Sequence, residues 1–315
     1  MSTHLPDPSE RPALRAAGHR GSAIFYLAAA ALCYGTIPIF VRYFAAYLDA
    51  WTVNGVRYLV GSLIWLPAVL TLRREVPAGK NVWRDALVPT AVNVVGQVGY
   101  GLAPYYNPAS VIGFVARTSF LFTLLFGFTI LPVERLLMRK PLFWLGVAAC
   151  ACGVPVMYWE GFAGAGKTTP TGLAVLLGSA VCWGAYGVSV RRWLSGYPAR
   201  LSFGVISLYS SAALLVLMFL FGDVGRLASF GVANWAWIVL SGIIGIAMGH
   251  VLLFHAIHRL GPVVTEGGIM STPFITYLGA ALVLGERMTA MQWCGGLLLI
   301  TGGALLVGAK RQLLR

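Results

Sequence analysis

The sequence contains very little charge. Only 10% of its 315 residues are Asp, Glu, Lys or Arg, whereas 58% are hydrophobic. Soluble globular domains carry roughly 25% charged residues, so this chain has too little charge to cover a surface that faces water. The composition excludes an ordinary soluble domain and indicates a protein that is solvated by lipid.

Acidic residues are especially scarce, with 10 Asp and Glu against 23 Lys and Arg, which gives a formal net charge of +13. Such an excess occurs in nucleic-acid-binding proteins, in proteins at anionic membrane faces and as a topology signal in membrane proteins. The positions of the basic residues decide between these alternatives. With the amino terminus inside, 17 of the 23 fall in cytoplasmic segments and four in outer ones. We therefore expect both termini in the cytoplasm and no nucleic-acid partner.

Several chemical motifs are also missing. No HExxH motif, paired intramembrane aspartates or Ser/Lys dyad occurs, so a membrane-embedded enzyme is disfavoured and no cofactor or metal is expected. The five cysteines all fall in apolar runs, where they indicate small core residues rather than disulfides or a zinc site. Residues 161–168 (GFAGAGKT) match the phosphate-loop pattern, but they join two apolar runs and therefore indicate a flexible linker.

Ten apolar runs are long enough to cross a bilayer as helices. A membrane helix needs roughly 20 mostly apolar residues, since lipid offers no hydrogen-bonding partner to the backbone. We therefore predict an all-α polytopic membrane protein with ten transmembrane helices. The runs cover residues 21–43, 50–72, 85–106, 108–132, 141–159, 171–193, 200–222, 234–257, 262–284 and 289–309.

The two ends of the chain differ from these runs. Residues 1–20 are polar, contain three prolines and lack the apolar core of a signal peptide, so a disordered cytoplasmic tail is predicted. Residues 310–315 are rich in Lys and Arg and predict a second, basic cytoplasmic tail. The membrane-embedded part is expected to lie between these tails.

The two halves of the chain resemble each other at a fixed offset of 149 residues. Residues 31–35 (ALCYG) align with 180–184 (AVCWG), and residues 144–146 (WLG) align with 293–295 (WCG). Each half therefore contains five apolar runs. Because five is odd, the second copy enters the membrane from the opposite side, and the repeats must be inverted.

Inverted repeats are a common way to build secondary transporters, because two similar halves can open a shared cavity to either side in turn. The alternative is an old duplication in a structural protein or a receptor. We predict a first five-helix repeat over residues 21–160, an outer linker over 161–170 and a second repeat over 171–309.

These features carry a resemblance to a known family. A Tyr-Gly or Trp-Gly pair lies in the first helix of each half, Arg57 lies near the start of the second helix, and residues 284–287 (LGER) precede a glycine-rich last helix. Together with the order of the spans, this pattern resembles the EamA-type members of the drug/metabolite transporter superfamily over residues 21–309. The fourth helix of the first half departs from it, because it ends without the glycine and contains Phe120, Phe122 and Phe126.

The resemblance implies a carrier of the bacterial cytoplasmic (inner) membrane, often an exporter, for amino acids, related metabolites or drugs. It also implies that helices three, four, eight and nine surround a central cavity. The function we predict is a secondary active transporter that moves a small metabolite by alternating access. A multidrug exporter and a channel-like facilitator are the alternatives.

Arg117 is the strongest single candidate for a substrate-binding residue. It lies about nine residues into the fourth helix and hence near the bilayer midplane, where a cation must face protein or water. Its guanidinium can bind two oxygens of a substrate carboxylate at once. The alternative is an ion pair with Glu266 on the ninth helix, and the two hypotheses are compatible because a substrate anion could displace Glu266.

Three further residues are candidates for proton coupling or gating. Glu266 lies near the cytoplasmic end of its helix, where it could couple protons, take part in a gate or pair with Arg117 or Arg259. His250 and His255 lie on the eighth helix and could bind protons near neutral pH. Histidines in membrane helices also hydrogen-bond neighbouring helices, so packing is the alternative for both.

Aromatic residues are expected near the centre of the membrane, where they could line a site for flat or apolar groups. Packing between helices explains them equally well. The candidates are Tyr34, Tyr100, Trp183, Tyr186 and Phe254.

Overall fold

The computed structural model describes residues 11–72, 74, 76, 79–130, 132–164, 168–260 and 262–313. This part of the chain is helical and contains no β-strand. Nine of its helical segments are long and apolar enough to cross a membrane, and the apolar helix Pro141–Met157 is slightly shorter. The prediction of an all-α membrane protein with ten spans is confirmed.

The ten membrane helices are numbered in chain order. The first repeat contains α1 (Arg11–Phe44), α2 (Ala50–Leu72), α3 (Val82–Tyr105), α4 (Ala109–Phe128) and α5 (Pro141–Met157). The second repeat contains α6 (Pro170–Leu194), α7 (Ala199–Phe221), α8 (Val232–Leu253), α9 (Gly267–Leu284) and α10 (Ala290–Leu313).

The ends of the first and last helices differ from the sequence prediction. Helix α1 begins at Arg11, so the predicted disordered tail over residues 1–20 is corrected for residues 11–20. This segment contains Ala, Leu and Arg, which favour helix, and it continues directly into the first apolar run. Helix α10 likewise extends beyond residue 309 to Leu313. Residues 1–10, residues 165–167 of the predicted linker and residues 314–315 lie outside the described residues.

The helices pack in symmetric sets. Helix α1 packs against α8 and α9, and its counterpart α6 packs against α3 and α4. Helix α2 packs against its own counterpart α7, and α5 packs against its counterpart α10. The same neighbours therefore recur in both repeats with the partners exchanged.

Glycines at the contact between α5 and α10 show how the two repeats are related. A Cβ atom added to Gly146 would lie 2.9 Å from the carbonyl oxygen of Gly302, and one added to Gly153 would lie 2.9 Å from that of Gly295. At the offset of 149 residues, Gly146 corresponds to Gly295 and Gly153 corresponds to Gly302. Each glycine thus contacts the counterpart of the other, which is the signature of a two-fold axis.

The centre of this contact lies at Cys150. Its Sγ atom is 3.9 Å from the carbonyl oxygen of Leu299, which is the residue 149 positions further along the chain. A residue that contacts its own counterpart lies on the axis that relates the two copies. Because the two helices run antiparallel across this axis, the repeats are inverted, as the odd number of spans predicts.

Candidate substrate cavity

A cavity of about 670 Å³ lies between the two repeats. Its lining comes from both halves of the chain, from helices α1 to α4 and from α6, α8, α9 and α10. Pockets for small molecules typically measure roughly 300–1,000 Å³. The cavity is therefore large enough for a metabolite or a drug-sized solute.

Two helices are interrupted beside the cavity at similar positions of the two repeats. In α4 a 3₁₀ turn at Ala116–Thr118 separates two α-helical segments and carries Arg117. In the second repeat, helix Pro262–Ile269 ends two residues before helix Thr272–Leu284 begins, and this break lies within α9. Secondary transporters commonly form their substrate sites from discontinuous helices at matched positions of two repeats.

Helix α8 has a third irregularity. A π-helical turn at Ile243–Met248 widens the helix where it passes α2, and Gly245 and Ile246 of this turn line the cavity. Turns of this kind occur frequently at functional sites. The irregular segments of three helices thus meet at one cavity.

Aromatic side chains contribute to the lining of the cavity. Tyr100 and Trp183 lie in contact, with ring centroids 4.7 Å apart, and Tyr34 and Tyr186 also line the space. These are four of the five aromatic residues that the sequence indicates. The side chain of the fifth, Phe254, lies outside the described residues. Whether the four bind substrate stays a prediction.

Arg117 lines the cavity, as its position in the sequence predicts, and Tyr100 is close enough to interact with it electrostatically. The side chain of Glu266, its predicted partner, lies outside the described residues. The two hypotheses for Arg117, substrate binding and pairing with Glu266, therefore both stay open.

Arg57 is a lining residue that the sequence interpretation did not place in the site. Its side chain is almost fully buried, with 2% of its surface exposed, and it faces the cavity from α2. Its Nε donates a hydrogen bond of 3.1 Å to the Oγ of Ser241, which in turn donates to the carbonyl oxygen of Ile238. The sequence could have predicted this position, because an arginine inside an apolar run is as unusual at position 57 as at position 117.

Polar residues on α3 were also missed. Asn93 and Gln97 line the cavity together with Tyr100, at spacings of four and three residues that place all three on one face of a helix. The Nδ2 atom of Asn93 donates a hydrogen bond of 2.9 Å to the Oγ of Ser210 on α7. This periodic polar face could have been recognised in the sequence.

The two candidate histidines occupy different environments. His250 lines the cavity, with its ring stacked on Phe203 at 4.2 Å and set edge-on to Tyr34 at 5.7 Å. His255 is not among the lining residues, and its ring stacks on Tyr26 at 5.0 Å. The geometry therefore gives His250 access to a solute in the cavity, whereas His255 packs against α1. Among the described residues, no group of three or more His, Cys, Asp or Glu side chains could hold a metal ion.

Glu286 connects two helices at one end of the bundle. Its carboxylate accepts hydrogen bonds from the backbone N–H groups of Ala109 and Ser110 at 2.9 and 3.0 Å, and from the Ser110 hydroxyl at 2.9 Å. A carboxylate at this position satisfies free N–H groups at the first turn of α4 and complements the helix dipole. We call this end of the bundle the Glu286 end.

Further contacts hold the Glu286 end together. The Nε of Arg42, at the end of α1, lies 3.8 Å from the carboxylate of Glu286. The guanidinium of Arg42 also donates to the carbonyl oxygen of Pro104 at the end of α3. Gly285 adopts a left-handed conformation with φ 64°, which ends α9 and directs Glu286 back into the bundle.

The fold and the cavity define a multi-pass membrane protein of the transporter class. Residues 21–159 and 170–308 each match the EamA-like transporter family, one match for each repeat, and the chain belongs to this family. The family points to a transporter rather than to an enzyme.

A solved structure shares the fold. It is described only as the crystal structure of a protein, is 20% identical in sequence, and superposes with a TM-score of 0.63 over 91% of this chain and 97% of that chain. At this identity the similarity concerns the fold alone. No curated protein matches the sequence.

Proposed function

We propose that the protein is a secondary active transporter that exports a small metabolite, such as an amino acid or a related compound, across the bacterial inner membrane. One observation carries this proposal. A cavity of about 670 Å³ lies between two inverted repeats and touches irregular helix segments from both of them. Two similar halves around one cavity can exchange their conformations and expose the cavity to each side in turn.

The contacts at the two ends of the bundle support alternating access. Glu286 and Arg42 join α1, α4 and the turn after α9 at the Glu286 end. At the opposite end the cavity lining includes Arg191 and Lys310, from the last turns of α6 and α10. If both termini lie in the cytoplasm, as the distribution of Lys and Arg favours, the cavity extends toward the cytoplasm. That is the state in which an exporter binds its solute.

Transport by purified protein in proteoliposomes tests the class of function. A carrier accelerates uptake of labelled solute when unlabelled solute is trapped inside, whereas a channel does not. Counterflow with one class of metabolite supports the proposal. Flux without counterflow favours the channel-like facilitator, and counterflow with many unrelated apolar compounds favours the multidrug exporter.

Arg117 is proposed as a residue that binds an anionic group of the substrate. The Arg117→Ala variant is expected to insert and fold but to lose transport, because the cavity loses a cation that the substrate contacts. The matched control is Arg226→Ala. Among the described residues Arg226 has one ion pair, with Asp223 at 2.9 Å, and both side chains are exposed. An exposed ion pair of this kind contributes little to stability. Retained transport of carboxylate solutes by Arg117→Ala would exclude this role.

A further inference from the structure

The described residues that line the cavity include four cations. Arg57, Arg117, Arg191 and Lys310 line the cavity from four different helices, and no carboxylate is found among the described lining residues. Of the ten acidic residues of the sequence, only Glu266 lies in the interior of a predicted span. A cavity that is lined by charges of one sign in a low-dielectric environment attracts ions of the opposite charge.

Arg57 is the most deeply buried of these cations. Only its Nε has a hydrogen-bond partner among the described residues, namely Ser241, although a guanidinium carries five N–H donors. Its terminal nitrogens therefore remain available at the cavity wall. A buried charge is costly unless it is paired, and among the described residues no carboxylate lies within ion-pair distance of Arg57.

Arg57 lies against helix α8 at the wall of the cavity. Gly245 faces its terminal group, because a Cβ atom added at Gly245 would lie 3.0 Å from Nη2. Gly245 also lines the cavity, so the guanidinium meets α8 at the cavity wall. The Tyr100 and Trp183 rings, whose planes are tilted by 47°, provide an aromatic surface in the same cavity.

We infer that the substrates are organic anions with a net negative charge and a planar apolar body, and that Arg57 binds their carboxylate or phosphate group. This inference rests on the transporter function proposed above and narrows its substrate class to related compounds with a net negative charge, in place of zwitterionic amino acids. A zwitterion brings an ammonium group as well as a carboxylate to the buried Arg57 cation, and an organic cation brings only positive charge. Both classes are expected to bind more weakly than an anion of the same size.

Three probes that share a phenyl ring test the inference. Phenylsuccinate is a dianion at neutral pH, phenylalanine is a zwitterion and phenethylamine is a cation. We expect phenylsuccinate to raise the melting temperature of the purified full-length protein at concentrations at which the other two have no effect. In Arg57→Gln the concentration for half of this shift should rise about tenfold or more, because a charge-assisted hydrogen bond is lost.

Arg226→Gln, which changes an exposed arginine outside the cavity, serves as the control and should respond like the unmodified protein. Arg57→Lys keeps the charge and should keep the preference for phenylsuccinate with weaker binding. If Arg57→Gln does not fold, the melting-temperature shifts that the three probes cause in the unmodified protein test the inference. Equal or stronger stabilisation by phenylalanine or phenethylamine, no stabilisation by phenylsuccinate, or unchanged binding in folded Arg57→Gln would overturn the inference.

Counterflow of labelled phenylsuccinate separates this inference from the proposed function. Binding with the expected preference but without counterflow would contradict the carrier and leave the anion site standing. Counterflow that prefers phenylalanine would support the carrier and contradict the anion site.

Discussion

At the scale of single residues, His250 and His255 form a natural comparison, because they lie five positions apart and only His250 lines the cavity. A histidine that contacts the solute or its water can exchange protons with it. If export is coupled to a proton gradient, we predict that His250→Gln loses most of the stimulation by an imposed pH gradient in proteoliposomes.

His255→Gln is the matched variant, since His255 stacks on Tyr26 and does not line the cavity. It should respond to the pH gradient like the unmodified protein. A larger loss in His255→Gln than in His250→Gln would show that position at the cavity does not determine coupling.

The sequence predicts which single residues face the cavity better than it predicts their partners. Arg117 could be predicted to line a cavity because an isolated cation in an apolar run must avoid lipid. The same reasoning applies to Arg57, yet its hydrogen bond to Ser241 spans 184 positions of the sequence and could not be foreseen. The different environments of His250 and His255 likewise depend on α1 and α7, which supply Tyr26 and Phe203.

At the scale of the helices, the π-helical turn of α8 holds Gly245 against Arg57. We predict that Gly245→Ala reduces transport about tenfold, which corresponds to roughly 1.4 kcal/mol, because the new methyl group displaces the guanidinium. Transport by the variant in proteoliposomes, together with its melting temperature, measures the effect.

Gly178→Ala on α6 is the control for this prediction. A Cβ atom at Gly178 would have no neighbour within 4 Å, so the substitution should leave transport unchanged. Equal transport by the two variants would show that the close approach of Gly245 to Arg57 has no functional role.

The first turn of α4 gives a second prediction at this scale. Glu286→Gln replaces a carboxylate that accepts hydrogen bonds from Ala109 and Ser110, and the neutral amide should lower the free energy of unfolding by about 1–3 kcal/mol. Arg287→Gln, at an exposed neighbouring position, should have little effect. Denaturation of both variants in the same detergent compares them, and equal stability would contradict the proposed contact.

The helices themselves could be predicted well, but their interruptions could not. Apolar runs of about 20 residues determine the spans because lipid satisfies no backbone hydrogen bonds. The 3₁₀ turn at Ala116–Thr118 contains no proline, and the glycine in the π-helical turn at Ile243–Met248 weakens an α-helix without specifying a π-helical turn. Both turns lie where the helix meets the cavity, so their cause is tertiary packing rather than local sequence.

At the scale of the whole molecule, the inverted arrangement of the repeats could be predicted from the number of spans. Five spans in each half require inversion, and the reciprocal contacts of Gly146 with Gly302 and of Gly153 with Gly295 confirm it. The glycines are needed there because the backbones of α5 and α10 approach too closely for side chains. The position of the cavity between the repeats, and the two-sided access that we propose, both depend on this symmetry.

The sidedness of two equivalent loops tests the inverted arrangement most directly. In a variant without native cysteines, Arg139→Cys probes the segment between α4 and α5, and Arg287→Cys probes the corresponding turn between α9 and α10. Both positions are exposed. We predict that a membrane-impermeant maleimide labels residue 287 in intact cells and residue 139 only after the membrane is opened. Labelling of both positions from the same side would contradict the inverted repeats and, with them, the proposed passage between the two halves.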